Sequence, residues 1–243
     1  MTKRVRIDRL LVERGLFESR AKAQQAIAAG MVTADGTTVR KPADEVAADA
    51  ALQAAPAHPW VSRGGVKLAA ALDHFGIGPA GRICLDVGAS TGGFTQVLLA
   101  RGARRVYAVD VGRGQLHATL CGRPDVVAIE ATDIRKLEPS RLEPPPDLVT
   151  VDVSFIPLKL VLPAALALAR PAADAVVLIK PQYEAGPDHV KKGVVRDPAV
   201  HARVCTAATE LVRSLGWEAV GVIPSPITGG DGNHEFLMAA HRG

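Results

Sequence analysis

The sequence predicts an α/β fold, a mainly parallel sheet with helices on both faces, preceded by a small α+β module. Three observations predict it. From Arg82 onward, short apolar runs alternate with stretches of helical periodicity. Those runs are apolar throughout, as strands covered on both faces must be. The first sixty residues instead carry two short helical segments, a hairpin signal and a local excess of positive charge. A chain of 243 residues allows one to two domains. With 48% hydrophobic and 22% charged residues it can bury a sizeable core, which excludes a disordered chain.

In the N-terminal module, Ile7, Leu10 and Leu11 share a helical face, and Gly15 can stop that helix. Ser19 is an N-cap candidate for a second helix, RAKAQQAIAAG, ending at Gly30. Met31–Thr33, the turn Asp35-Gly36 and Thr37–Val39 read as a hairpin. Pro56, His58 and Pro59 mark a linker. After it, two glycines precede the helix VKLAAALDHF.

In the larger region the expected strands are Ile83–Val87, Val106–Val109, Val126–Ile129, Leu148–Val151 and Ala175–Ile179. The helices between and after them are Phe94–Arg101, Gly114–Cys121, Ile156–Ala169 and Ala199–Leu215. Trp217–Ile223 and Glu235–Ala240 read as closing strands, the last antiparallel.

The charge is uneven. Residues 1–30 hold seven basic and three acidic groups, which is the whole formal charge of +4. Beyond them the signs balance, so one end carries an electrostatic footprint suited to a polyanion. The three cysteines, Cys84, Cys121 and Cys205, are widely spaced, which argues against a disulfide framework or a zinc site and fits a reducing compartment. The charged N-terminus has no signal-peptide core. The most apolar stretch, Leu158 to Ile179, is interrupted by Pro163, Arg170, Pro171 and Asp174, short of the ~20 apolar residues a membrane span needs. A cytoplasmic protein without membrane partners is expected.

The first strand of the larger region runs into Gly88-Ala89-Ser90-Thr91-Gly92-Gly93 and then a helix. Glycines there let a ligand approach the backbone at the carboxyl edge of the sheet. Three readings compete. A dinucleotide loop would be G-x-G-x-x-G, which this is not. The stretch spells G-x-S-x-G, a hydrolase elbow with Ser90 as nucleophile and His201 and His234 downstream, yet that leaves Asp86 and Asp110 without a role. The third is (D/E)-x-G-x-x-x-G, the S-adenosylmethionine loop of class I methyltransferases. Asp86–Gly92 resembles it, and Asp110 and Asp133 stand where that Rossmann-like family places its ribose and adenine contacts.

Four charged residues sit beside apolar elements. Asp152 and Lys180 follow strands, Lys67 lies on the helix entering the domain, and Glu235 opens the last run. Each alone reads blandly, as a surface lysine, a turn cap, a strand exit and an edge charge. Together they are two cations and two carboxylates able to neutralise one another when buried.

Two resemblances follow. Residues 4–55, with R-x-D-x-x-L, Ser19-Arg20, Ala28–Gly30 and Asp35-Gly36, resemble the RNA-binding module named after small-subunit ribosomal protein S-four, the alpha-L motif. This implies an RNA face at Arg6, Arg9, Arg14, Arg20 and Lys22, with Arg40, Lys41 and Arg63 nearby. The stretches Ser62–Leu68, Asp86–Phe94, Val151–Ile156, Lys180–Glu184 and Gly232–Glu235 resemble the FtsJ-like ribose 2′-O-methyltransferases. The whole chain is similar to the TlyA-family ribosomal RNA 2′-O-methyltransferases. That implies a catalytic tetrad of Lys67, Asp152, Lys180 and Glu235. Cofactor contacts are expected at Asp86, Gly88, Ala89, Ser90, Thr91, Gly92, Gly93, Phe94, Asp110 and Asp133. The implied cofactor is S-adenosyl-L-methionine, with no metal, and the implied partner is ribosomal RNA or a ribosomal subunit. The short ends around the motifs point first to large-subunit (23S) RNA, with 16S RNA as a further target. Two alternatives are carried: a membrane-acting haemolysin, a label some relatives bear, and a catalytically silent RNA-binding protein. The expected division is an RNA-binding domain over 1–58, a linker over 59–65 and a methyltransferase domain over 66–243.

Overall fold

A computed structural model describes residues 3–243. It comprises two compact units, Met1–Pro59 and Trp60–Gly243.

The first unit pairs β1 (Arg4–Arg6) antiparallel with β4 (Glu45–Ala47). Helix α1 (Ile7–Glu13) follows, then α2 (Arg20–Ala28), which Ser19 caps by accepting the Lys22 N–H. Strand β2 (Val32–Ala34) pairs with both β3 (Thr37–Thr38) and β5 (Leu52–Ala54). The expected hairpin is present, and Asp35 and Gly36 take the left-handed conformation its turn requires. Ile7, Leu11, Phe17, Ala26, Ile27 and Val32 form the small core.

The second unit opens with α3 (Gly64–Phe75). A seven-stranded sheet follows, built from β6 (Ile83–Val87), β7 (Arg105–Val109), β8 (Val126–Ile129), β9 (Leu148–Val151), β10 (Ala173–Ile179), β11 (Glu218–Pro224) and β12 (Phe236–Arg242). Their spatial order is β11-β12-β10-β9-β6-β7-β8. Neighbours from β10 to β8 are parallel, and β12 runs antiparallel between β10 and β11. The α/β class, the parallel sheet and the antiparallel closing strand match the sequence reading. Residues alternate between two cores. Leu85, Val87, Val149 and Val151 face α5 (Leu158–Ala167) and α7 (Pro198–Ser214). Cys84, Leu148, Val176 and Leu178 face α3 and α4 (Gly93–Ala100). That two-sided burial is why the strands read as unbroken apolar runs.

Strand order reverses between β6 and β9. An open α/β sheet has its crevice at such a switch point, outside the carboxyl ends of the strands. The glycine loop leaves β6 there. Among the described residues, no helix is long and apolar enough to cross a membrane.

Two expectations need correction. Gly114–Cys121 is not a helix but an irregular segment with turns. Glu130 accepts the N–H groups of Gly114 and Gln115 at 2.8 and 3.0 Å, and Gly114 is left-handed, so the segment follows a carboxylate rather than its own periodicity. Residues 60–65, expected as linker, are packed. Val61 N–H donates to Gln96 Oε1 at 2.6 Å, and Gly64 and Gly65 already belong to α3. A side chain on Gly65 would collide with Trp60, and one on Gly93 with Ser62.

Candidate active site

The carboxyl edge of the sheet gathers the four charged residues. Asp152 follows β9 directly, and Lys180 follows β10 and precedes the short helix α6 (Pro181–Glu184). Strands β10 and β12 pair in a register that sets Ile179 opposite Phe236, so Lys180 and Glu235 stand at adjoining strand ends. Lys67 reaches in from the first turn of α3.

The four form two ion pairs. Lys180 Nζ lies 2.5 Å from Asp152 Oδ1 and donates to Ser154 Oγ at 2.9 Å. Lys67 Nζ is paired with Glu235 Oε2. Lys67, Lys180 and Glu235 are buried, and Asp152 is partly open. A buried charge needs a partner, and here each cation has one. Glycine makes room for the second pair: a Cβ on Gly229 would stand 2.5 Å from Glu235 Oε1.

The glycine loop stands beside Asp152. Gly88 is left-handed, and a Cβ there would lie 2.2 Å from the Asp152 carbonyl oxygen, so only glycine admits this approach of β6 to β9. Ser90 and Thr91 are exposed, while Ala89, Gly92 and Gly93 are buried against neighbouring segments. Asp110, at the end of β7, accepts the Ser90 and Gly112 N–H groups, both at 2.7 Å. It therefore joins the loop to the segment that follows β7. Asp133 caps the turn after β8 and pairs with Arg135, whose guanidinium pulls the carboxyl down to about 2.

Two expected cofactor contacts have side chains pointing into the interior. Asp86 is fully buried, accepting from Thr95 Oγ1 at 2.6 Å and Thr150 Oγ1 at 3.1 Å. Burial pushes its carboxyl up to about 7 against those two hydrogen bonds, with the Asp152 charge adding to the rise. It ties β6 to α4 and β9 and so shapes the loop from beneath. Phe94 packs in the core with Leu68, Leu72 and Val97. The motif gives their positions in the loop but not the direction of these side chains.

The hydrolase elbow gains nothing from the geometry. Ser90 is left-handed, as an elbow serine would be. His201, however, is bonded to the Val195 carbonyl and lies edge-on to Phe236. The ring of His234, the other imidazole that reading named, packs against His201 at 5.8 Å.

Three residues were missed by sequence reasoning. Ser154 accepts from Lys180. Phe155 is 88% exposed, left-handed at φ 63°, and its ring lies 5.1 Å from that of Tyr183. A strained, exposed aromatic beside an acceptor site is a surface on which a nucleobase can stack. Glu130 holds the segment whose Leu116 and Leu120 press on Gly92. Its carboxylate is visible in the sequence, but its partners lie 14–16 positions away.

In the first unit, the expected RNA-facing residues separate. Asp8 has no solvent exposure and accepts from Arg6, Arg20 and Gln24 at 3.1, 2.8 and 2.9 Å. The Arg6 guanidinium, with Arg20 and Gln24, holds its carboxyl far below the usual range. Arg6 and Arg20 are thus set side by side with their outer faces in solvent. Lys22 pairs with Glu18 at 2.5 Å and Arg9 loosely with Glu13 at 4.0 Å, while Arg40 and Lys41 are exposed. Arg14 is different: it donates to the carbonyls of Ala48 and Ala50, which makes it a brace of the fold. In the second unit Arg63 stands near Gly230, on the loop leading to Glu235.

The residues at the glycine loop suit the cofactor that the sequence implies. A left-handed glycine turn at a switch point and an acceptor-only carboxylate at the next strand end are a fitting set for a nucleoside with free hydroxyls.

Comparison with known proteins gives the family. The sequence profile of the FtsJ-like methyltransferase family matches residues 60–242, and that of the S4 domain matches residues 5–51. A Mycobacterium tuberculosis protein named 16S/23S rRNA (cytidine-2′-O)-methyltransferase TlyA is 48% identical over 241 residues, covering 98% of this chain and 90% of that one. A Campylobacter jejuni protein named 23S rRNA (cytidine-2′-O)-methyltransferase TlyA is 36% identical over 180 residues, covering 73% and 69%. A solved structure from Streptococcus thermophilus, described as a proposed hemolysin, superposes with a TM-score of 0.78 at 37% identity, covering 100% of this chain and 90% of that one.

Proposed function

Since the chain belongs to the FtsJ-like methyltransferase family, with an S4 domain before it, we propose that it transfers a methyl group from S-adenosylmethionine to a ribose 2′-hydroxyl of ribosomal RNA. The observation that carries this reading is the paired tetrad: Lys180 with Asp152 and Lys67 with Glu235, beside the glycine loop at the switch point.

When bound, S-adenosylmethionine supplies a methyl group already activated on a sulfonium. The backbone of Gly88–Gly92 would hold it, with Asp110 accepting from the ribose hydroxyls and Asp133 from the adenine amine. The protein's remaining task is the acceptor. A ribose hydroxyl is a weak nucleophile, so it must be aligned and helped to lose its proton. As the ammonium that Asp152 pairs with, Lys180 would stabilise the alkoxide; only as the free amine, its own proton already released, would it take the hydroxyl proton. Asp152 and Ser154 fix its amine from two sides. Lys67 and Glu235 position the ribose, their mutual pairing keeping both charges compensated. The basic face around Arg6 and Arg20 grips the RNA electrostatically.

Large-subunit RNA is named for both relatives and is the first substrate we assign; 16S RNA is named for one of them. The test is a 2′-O-methylation map of both ribosomal RNAs from a strain lacking the gene, complemented with wild type or Lys180→Ala. A site lost on deletion and restored only by wild type supports the assignment. Maps unchanged by deletion refute it.

A further inference from the structure

We propose that the turn at Lys191–Val194 is a second grip on RNA, binding phosphates next to the methyl-acceptor site. The inference rests on the reading of the chain as an RNA ribose methyltransferase.

Lys191 and Val194 exchange both backbone hydrogen bonds, at 3.0 and 3.1 Å. Between them Lys192 and Gly193 are both left-handed, at φ 51° and 79°. This is the tight two-residue turn that normally takes Asn-Gly or Gly-Gly. Lysine is an uncommon occupant of its first position. Lys191, Lys192 and Arg196 are all exposed, placing three cations within six residues. Two exposed acids flank them in sequence: Asp188, and Asp197, which accepts the Ala199 N–H at the start of α7.

The turn is also fixed to the site. Asn233, 1% exposed, donates from Nδ2 to the Gly193 carbonyl at 2.8 Å. Its Oδ1 accepts from the Val195 N–H at 3.1 Å. The Val195 carbonyl is in turn held by His201 Nε2 at 2.9 Å. Asn233 stands two residues before Glu235, so the buried segment that presents a tetrad carboxylate also anchors the basic tip. A strand of RNA that brings a ribose to Glu235 carries phosphates on either side of it. Lysines on a turn whose backbone is anchored just after them, at Gly193 and Val195, can meet those phosphates with little loss of backbone freedom.

The test uses the full-length protein, 50S subunits from a strain lacking it, and protein-free 23S RNA. The variant is Lys191→Gln with Lys192→Asn, since asparagine suits the left-handed position. RNA affinity is expected to fall roughly tenfold at 0.1 M salt, with the slope of log K against log salt reduced by about 0.7–0.9 per lost phosphate contact. The dissociation constant for S-adenosylmethionine is expected to stay unchanged. Wild-type RNA affinity and salt slope in the variant overturn the proposal, and so does a weaker affinity with an unchanged slope. A loss confined to intact subunits and absent on protein-free RNA assigns the tip to a ribosomal protein and also overturns it. If the double variant unfolds early, Lys192→Asn alone carries the test with half the slope change. A wild-type protein that methylates no ribosomal RNA would instead strike the functional reading itself.

Discussion

Lys67 and Glu235 are 168 positions apart in the chain, and their side chains meet in one buried ion pair. Helix α3 supplies the lysine and the start of β12 the glutamate. The same contact therefore ties α3 to the end of the sheet and completes the candidate site.

Removing one partner should cost stability. Glu235→Gln leaves the Lys67 ammonium buried without a counter-charge, a defect worth about 3–5 kcal/mol. Lys67→Met with Glu235→Leu should recover most of that loss, because neither charge remains. Urea unfolding measures both, and methyl transfer should be absent in both. Activity in the apolar double variant would show that the pair is only structural.

Lys180→Ala should lower methyl transfer by at least about 10²-fold, the smaller end of what a positioned proton acceptor contributes. Calorimetric binding of S-adenosylmethionine should be nearly unchanged, since the expected donor contacts lie on the glycine loop and Asp110. Near-normal turnover would remove Lys180 from the mechanism.

Asp86 sets a pH dependence. Its carboxyl rises from an ordinary 3.8 to about 7 on folding, chiefly through burial. Folding therefore takes up a proton, and the associated stability is complete below the unfolded value. It is lost progressively as pH rises toward about 7. From pH 5.5 to 7 the loss is on the order of 2 kcal/mol. Asp86→Asn, which can still bond Thr95 and Thr150, should flatten that part of the profile in denaturant titrations. An equally steep variant would assign the slope to other groups.

The arginines of the first unit should behave in two ways. Arg6→Ala with Arg20→Ala should weaken RNA binding and lower its salt slope, because both guanidinia stand on Asp8 with a face in solvent. Arg14→Ala should lower the thermal midpoint, since its guanidinium braces the Ala48 and Ala50 carbonyls. If Arg14→Ala left the midpoint intact, the brace would have no energetic weight.

Much of this was legible in the sequence, for identifiable reasons. Strands buried on both faces leave apolar runs that survive any detail of packing, so β6, β9 and β10 stand out. Charged residues placed at the ends of such runs mark the open edge of the sheet, which is how Asp152 and Lys180 come into view. Other features depend on partners that local sequence does not contain. Glu130 turns Gly114–Cys121 from an apparent helix into a stitched segment. Arg4–Arg6 becomes a strand only because Glu45–Ala47 lies beside it. The left-handed backbone that exposes Phe155 has no glycine to announce it. Asp86 and Phe94 fit their motif while turning inward, because a motif fixes spacing and the core fixes direction.

The role proposed for the paired tetrad is service to a ribose oxygen. It is tested most directly by incubating the purified protein with ribosomal subunits and methyl-labelled S-adenosylmethionine, then digesting the RNA to nucleosides. Label is expected in a 2′-O-methylnucleoside, and none when Lys180 is alanine. Label on a base, or in the Lys180→Ala reaction, would contradict it.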